Sequence, residues 1–522
     1  MLFNSLAFLL FLPIVFTLYW SLRSLRWQNR TIIAASFFFY GWWDWRFLLL
    51  MIATCVANYY IGNAIYKLGV SSEELGVSKP QTSMPKASRR LSSAVGEAGA
   101  DTERKSESEA ANLKPQTSNG EMELGVRRVR RHPGYAWLLT AILINIGLLA
   151  LFKYFNFFAD NLAALFSLLN IRADIPTLRL ILPIGISFYT FQLTAYIVDI
   201  YRRQLQPAHN LEHFLSFICF FPQLVAGPIE RGANLLPQFS RKRTFIYNDA
   251  VDGMRLFLWG LMKKMLIADN CAPVADYVFG SYQSLVSADL LIGLLAFTVQ
   301  VYCDFSGYSD MAIGAARLFG IRLSTNFNHP FFATTIREFW RRWHMTLMSW
   351  LRDYVYFPLG GSRCSAVRHY FNVFVLYMLS GLWHGPNWSF IAWGTWNGFF
   401  NVTTKKASQH MPQWISWLIT VSVFVLSQIF FRNPTVGDGL HFFGRMFSME
   451  GGWTTTASRM PLLYIVLLFT IEWLSRRHAH PFQFADRGIW RLQPVRYTIY
   501  IIMFLACLLF GGQQVQFIYF QF

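Results

Sequence analysis

The sequence predicts an all-α, polytopic helical membrane protein with short re-entrant or interfacial helices, and three observations carry that prediction. Its 522 residues are 54% hydrophobic and only 14% charged, against about 25% charged residues in ordinary soluble domains. Long, nearly charge-free stretches at residues 2–22, 135–152, 178–198 and 497–522 reach the ~20 residues needed to cross a bilayer as a helix. Basic residues gather at the edges of such stretches: Arg23, Arg26 and Arg30 after the first, Arg127, Arg128, Arg130 and Arg131 before another, Arg202 and Arg203 after a third. That is the positive-inside pattern. It accounts for the net charge of +18 without a nucleic-acid partner.

With residues 23–30 cytoplasmic, Met1 lies outside. The first stretch lacks a positive n-region and a small-residue cleavage site, so it reads as a retained span. Residues 31–66 form a hairpin around Gly41-Trp-Trp-Asp-Trp-Arg46, an aromatic belt with a charged turn. The chain divides into N-terminal membrane helices (1–66), a cytoplasmic loop insertion (67–133) and a membrane core (134–522). The insertion has no Phe, Trp or Tyr and repeats itself, Glu74-Leu-Gly-Val77 recurring at 123–126 and Lys79-Pro-Gln-Thr-Ser83 at 114–118. Such a segment cannot bury a core and is expected to be disordered. Spans follow at 135–170 and 178–200, then a re-entrant or kinked element around Pro222 in 214–227 and a basic cytoplasmic segment at 231–243. Further spans are expected at 250–268 and 287–303, short interfacial helices in the mixed region 304–366, and closing spans near 371–403, 413–431, 461–474 and 496–512. Six cysteines stand singly, with no C-x-x-C pair, and read as packing residues.

Chemistry is expected first at His384. From residue 370 to 404 there is no Asp, Glu, Lys or Arg, so this ring is the one ionisable group of consequence in 35 residues. A titratable group at membrane depth is costly unless it has a task or lines a cavity. Gly385-Pro386 interrupts the helix beside it, as in membrane proteins whose sites lie at broken helices. His344 is next. On one continuous helix Trp340, Trp343, His344 and Leu347 would share a face, leaving Arg341 and Arg342 to meet phosphates or headgroups; an interfacial amphipathic helix is the bland alternative. Asp304 and Asp310 are carboxylates near membrane depth, where Asp304 or Ser306 could equally cap a following helix. His209-Asn-Leu-Glu-His213 matches a zinc-peptidase pattern, but it sits in a short polar link without an evident third ligand. His478-Ala-His480 reads as a polar loop. No metal site is expected. No G-x-S-x-G elbow, P-loop or dinucleotide fingerprint is present.

Several longer motifs stand together in this chain: Phe339-Trp-Arg-Arg-Trp-His344, Leu379-Ser-Gly-Leu-Trp-His384-Gly, Leu182-Pro-Ile-Gly-Ile-Ser-Phe-Tyr-Thr-Phe191, Phe221-Pro-Gln-Leu-Val-Ala-Gly-Pro-Ile229, Tyr302-Cys-Asp-Phe-Ser-Gly-Tyr-Ser-Asp310, Asn326-Phe-Asn-His-Pro-Phe331 and Phe517-Ile-Tyr-Phe-Gln-Phe522. In these the chain closely resembles the membrane-bound O-acyltransferase family, in its bacterial branch of alginate O-acetylation and teichoic acid D-alanylation, over nearly all of its length outside 67–133. The resemblance implies helices around a central tunnel, in a multi-pass protein of the bacterial inner membrane. It also implies acyl transfer from a cytoplasmic thioester, acetyl-CoA or a carried acyl group, with no bound cofactor. The acceptor it implies is a hydroxyl of an extracytoplasmic polysaccharide or of an esterase-like partner protein. Its two histidines map onto His384 and His344. Histidine is the natural base for a hydroxyl at neutral pH, and a thiol departs readily from a thioester. Asp304, Asn326 and Trp383 are expected beside the reacting groups, and Arg341 and Arg342 on the donor's phosphates. A transporter or flippase for a lipid-linked sugar is the rival from another class, since it too would want a midplane histidine and broken helices.

Overall fold

The computed structural model describes residues 1–74, 133–171, 175–178, 180–225, 227–448, 455–483, 492–513 and 515–518. Among these the architecture is all-α. Helices α1 (Leu6–Ser21) and α2 (Leu25–Gly41) form a first hairpin, and α3 (Trp45–Glu74) returns. α4 (Tyr135–Leu149) runs through a π-turn at Ala150–Tyr154 into α5 (Phe155–Leu168). Next come α6 (Ile186–Tyr201) and three short helices, α7 (Leu211–Ile218), α8 (Phe221–Leu224) and α9 (Gly232–Phe239). α10 (Tyr247–Met262) passes through a second π-turn, Lys263–Ala268, into α11 (Asp269–Ser281), and α12 spans Ser287–Leu318. The short α13 (Ile336–Arg342) and α14 (Met345–Leu351) precede α15 (Ala366–His384), α16 (Trp388–Ala407) and α17 (Gln413–Arg432). α18 (Val436–Phe447), α19 (Met460–Ser475) and α20 (Gln493–Phe510) end the helical order. Five of the described helical stretches are long and apolar enough to cross a membrane.

Several expectations are corrected here. α3 continues to Glu74, eight residues past the boundary placed at 66. No proline interrupts it before Pro80, and Arg203 holds its end by donating to the Gly69 carbonyl at 2.8 Å. The rest of the insertion, and the last four residues of the C-terminal motif, lie outside the described residues. The span expected from 178 becomes helical only at Ile186, because Pro183 and the left-handed Gly185 (φ 73°) delay it. The expected break after 303 is absent. α12 is one 32-residue helix, so neither Asp304 nor Ser306 caps anything. Its carboxylates are tolerated because the second π-turn presents matching cations, Lys264 at 2.9 Å from Asp304 and Lys263 at 2.6 Å from Asp310. His480 is no surface loop residue: it is 1% exposed and its Nε2 lies 2.9 Å from Asp252.

α12 is the axis of the core, buried along nearly its whole length. It packs against α10 through paired glycines, Gly260 facing Gly307 and Gly253 facing Gly314. A Cβ on Gly307 would lie 2.7 Å from the Gly260 oxygen, and one on Gly253 2.7 Å from the Gly314 oxygen. Small residues of this kind let helices approach closely in a bilayer, where packing rather than hydrophobicity drives association. Gly307→Leu is therefore expected to destabilise the fold by about 1–3 kcal/mol or more, read as a lower unfolding temperature of the detergent-purified protein. An unchanged temperature would show the seam to be slack.

Candidate active site

His384 is the last residue of α15, and the chain turns there because Gly385 is extended and Pro386 cannot continue the ladder. Asn387 then caps α16, its side chain accepting from the Ser389 N–H at 2.9 Å. The two helices form a tight hairpin in which Gly381 faces the Phe390 carbonyl with no space for a side chain. The His384 ring is 4% exposed. Trp383, Trp393 and Phe431 surround it edge-on, each with its ring centre 5.1 Å away.

His344 does not continue a helix with Trp340 and Trp343. It sits between α13 and α14 in the left-handed region, φ 43° and ψ 51°, so the shared face expected for residues 340–347 is broken. The cause is Asn326, distant in sequence. Its carbonyl accepts from the Met345 N–H at 2.9 Å, and its side-chain Oδ1 accepts from the Thr346 hydroxyl at 2.9 Å and the Thr346 N–H at 3.3 Å. The same Oδ1 lies 3.1 Å from His344 Nδ1. An oxygen already facing two donors assigns the Nδ1 proton to His344. Nε2 is left as the lone-pair nitrogen, buried and without a hydrogen-bond partner among the described residues. Phe305 stands edge-on to this ring at 4.6 Å and Trp383 at 5.6 Å. Trp383 therefore touches both histidines.

Two openings flank this layer. A cavity of about 220 Å³ is lined by Trp43, Lys153, Ser187, Trp383 and Gln516, among others. A larger cleft of about 670 Å³ is lined by Arg337, Arg341, Arg352 and Lys405, with Trp340 and Tyr377 in its wall. They lie at opposite ends of α6. Gly185 and Ile186 border the small cavity. Arg202, at the other end, donates to the Asp353 carbonyl beside Arg352 of the cleft. Sixteen helical residues separate the ends by about 24 Å. The basic cleft is on the side of Arg202 and Arg203, and the small cavity on the side of the Trp43 turn. Between them lie packed rings: Trp340 is 5.6 Å from Trp393, which is 5.1 Å from His384.

Of the other residues singled out, Arg341 lines the cleft. Arg342 is not among its lining residues; it pairs with Glu338 one turn back at 2.5 Å. Asp304 borders neither opening. Lys264 lies 2.9 Å from one of its oxygens, and the Ile518 N–H donates to the other at 2.7 Å. Asn326 reaches the site through His344. Glu212 of the zinc-like pattern pairs with Arg30 at 2.8 Å. Arg337, Arg352 and Lys405 were not singled out from the sequence, although each carries a charge beside an apolar run. Nor was Lys153, the one charged residue between 135 and 159.

The chain matches a model of the membrane-bound O-acyltransferase family over residues 200–422, a range that contains both histidines. It is 34% identical over 485 residues to a probable alginate O-acetylase AlgI of Pseudomonas aeruginosa, covering 90% of this chain and 81% of that protein. It is 32% identical over 489 residues to a peptidoglycan O-acetyltransferase of Helicobacter pylori, covering 86% and 80%. A teichoic acid D-alanyltransferase of Bacillus subtilis is 30% identical over 250 residues, covering 44% and 62%. With a buried histidine pair between two openings at opposite ends of α6, this chain belongs to the membrane-bound O-acyltransferase family and is an acyltransferase integral to the membrane.

Proposed function

We propose that this enzyme works in a bacterial inner membrane as an O-acetyltransferase. It takes an acetyl group from cytoplasmic acetyl-CoA, or from another carried acyl thioester, and delivers it to a hydroxyl outside. The acceptor is a polysaccharide, reached directly or through an esterase-like extracytoplasmic partner protein. The observation that carries this reading is the layer of His384, Trp383 and His344 between a basic cleft and a small opposite cavity. The names of two relatives, an alginate O-acetylase and a peptidoglycan O-acetyltransferase, support acetyl transfer to a polymer hydroxyl.

In this reading the phosphates of the donor rest among Arg337, Arg341, Arg352 and Lys405, and its thioester arm runs along the wall that Trp340 and Tyr377 form. The acceptor oxygen enters from the small cavity. It attacks the thioester carbonyl carbon as His384 removes its proton, the C–S bond breaks, and the thiolate leaves toward the cleft. His344 Nε2 accepts a hydrogen bond from the reacting groups and shares the proton work, while Asn326 keeps its Nδ1 protonated. Purified protein given radiolabelled acetyl-CoA and a hydroxylated polymer should label that polymer, and absence of any acetyl transfer from the thioester would overturn the reading.

The donor site has its own test. A charge-assisted hydrogen bond is worth about 1.5–3 kcal/mol, so Arg341→Gln is expected to raise the acetyl-CoA KM about tenfold with a smaller change in kcat. Arg342→Gln breaks only a half-exposed pair of at most ~1 kcal/mol and should leave KM nearly unchanged. Equal effects from the two arginines, measured as initial rates in membranes, would remove the phosphates from this cleft.

A further inference from the structure

Lys153 is a cation in the middle of a candidate span, Tyr135–Leu168, where a bare ammonium is costly. It borders the small cavity and meets no carboxylate among the described residues. Its Nζ donates to the carbonyl oxygens of Trp383 and His384, both at 2.8 Å. The next residue, Tyr154, donates its hydroxyl proton to the Leu382 carbonyl, also at 2.8 Å. The last four carbonyls of an α-helix have no N–H of their own helix to meet them. At the end of α15, Gly385 and Pro386 prevent any continuation, so those carbonyls would otherwise face an apolar interior unpaired. Three of them are met instead by two adjacent residues of another span. The π-turn at Ala150–Tyr154 is what brings both side chains to the same place, and such turns occur frequently at functional sites. A positive charge also suits the negative end of the helix dipole. The backbone so held is that of Trp383 and His384, the two ring-bearing residues between the openings.

We propose that Lys153 is a positioning residue for acyl transfer. By clamping the last two carbonyls of α15 it sets the height and direction of the His384 imidazole relative to both openings, and Tyr154 braces the same end. The inference rests on His384 as the proton acceptor and acts through it.

Steady-state kinetics of the purified full-length protein with acetyl-CoA and a hydroxyl acceptor test this, with His384→Ala as the reference. Displacing a reacting group by about an ångström can cost ~10²-fold in rate, so Lys153→Met is expected to lower kcat about 100-fold. The acetyl-CoA KM should stay within about twofold, because donor binding does not involve this helix end. Lys153→Arg, which keeps a cation with several donors, should recover about tenfold of the loss. Tyr154→Phe should lower kcat by about three- to tenfold, the worth of one hydrogen bond. Gly147→Ala, on the same span with open space around the added methyl, should change nothing. A near-normal kcat for Lys153→Met beside an inactive His384→Ala overturns this inference and leaves the proposed base intact. An active His384→Ala overturns the base assignment itself. If Lys153→Met does not accumulate as folded protein, Tyr154→Phe decides, and an unchanged kcat there overturns the clamp.

Discussion

His384→Ala is expected to lower acyl transfer by about 10²–10⁴-fold, the usual contribution of a positioned general acid–base group. The acceptor hydroxyl holds its proton firmly at neutral pH, so attack on the thioester without a base is slow. Alanine leaves a space among Trp383, Trp393 and Phe431, whose rings meet the imidazole at 5.1 Å. These large rings and the Lys153 clamp on the backbone remain, so the protein should still reach the membrane at near-normal level. His384→Gln, closer in volume, separates the lost base from the lost packing and should be as inactive as alanine. Wild-type rates in either variant, at equal protein level, would remove His384 from the chemistry.

Lys264→Met should be the most damaging change outside the two histidines. The Lys264 ammonium lies 2.7 Å from Asp269 and 2.9 Å from Asp304, and donates to the Val515 carbonyl at 3.0 Å. All three ionic side chains are at most 3% exposed. Removing one member of a buried ionic group leaves the remaining charge without compensation and typically costs about 3–5 kcal/mol. Two carboxylates are stranded here, so the upper end of that range is expected. The loss reaches the site as well. Residues 515–518 lose a tether, Phe517 packs 4.4 Å from Tyr308, and Phe305 beneath it carries the His344 ring. Thermal unfolding in detergent should fall sharply in Lys264→Met and recover in part in the double variant with Asp304→Asn. A single variant as stable as wild type would mean that the two carboxylates find other partners.

His384 was legible because a polar residue in an apolar run stands out by itself, whereas His344, beside Arg341 and Arg342, was singled out by helical spacing and by the family resemblance. His384 lies in 35 residues without a formal charge, and the Gly385-Pro386 break beside it is local chemistry. What periodicity could not supply was anything set by distant partners. Trp340, Trp343, His344 and Leu347 keep helical spacing, yet Asn326 draws the chain into a left-handed turn at His344. Asp304 was legible as a carboxylate in need of a partner, but Lys264 reaches it only through the packing of a π-turn against α12. That pairing is also why α12 runs unbroken to Leu318 where a break was expected. Arg341 and Arg342 look equivalent in sequence. The turn of α13 sends one to the cleft and returns the other to Glu338. Lys153 was hidden for the same reason: a single lysine near the end of an apolar run reads as a membrane flank, and the carbonyls it caps lie 230 residues away.

In the proposed function one histidine layer joins a donor cleft on the cytoplasmic face to an acceptor cavity on the other. Membrane vesicles of both orientations test it directly. Inverted vesicles expose the Arg341 cleft to the medium, so radiolabelled acetyl-CoA added outside should label a hydroxyl acceptor trapped inside, and His384→Ala should abolish that label. Right-side-out vesicles given donor and acceptor together in the medium should stay unlabelled. Efficient labelling there, with both substrates on the side of the Trp43 turn, would contradict transfer across the layer.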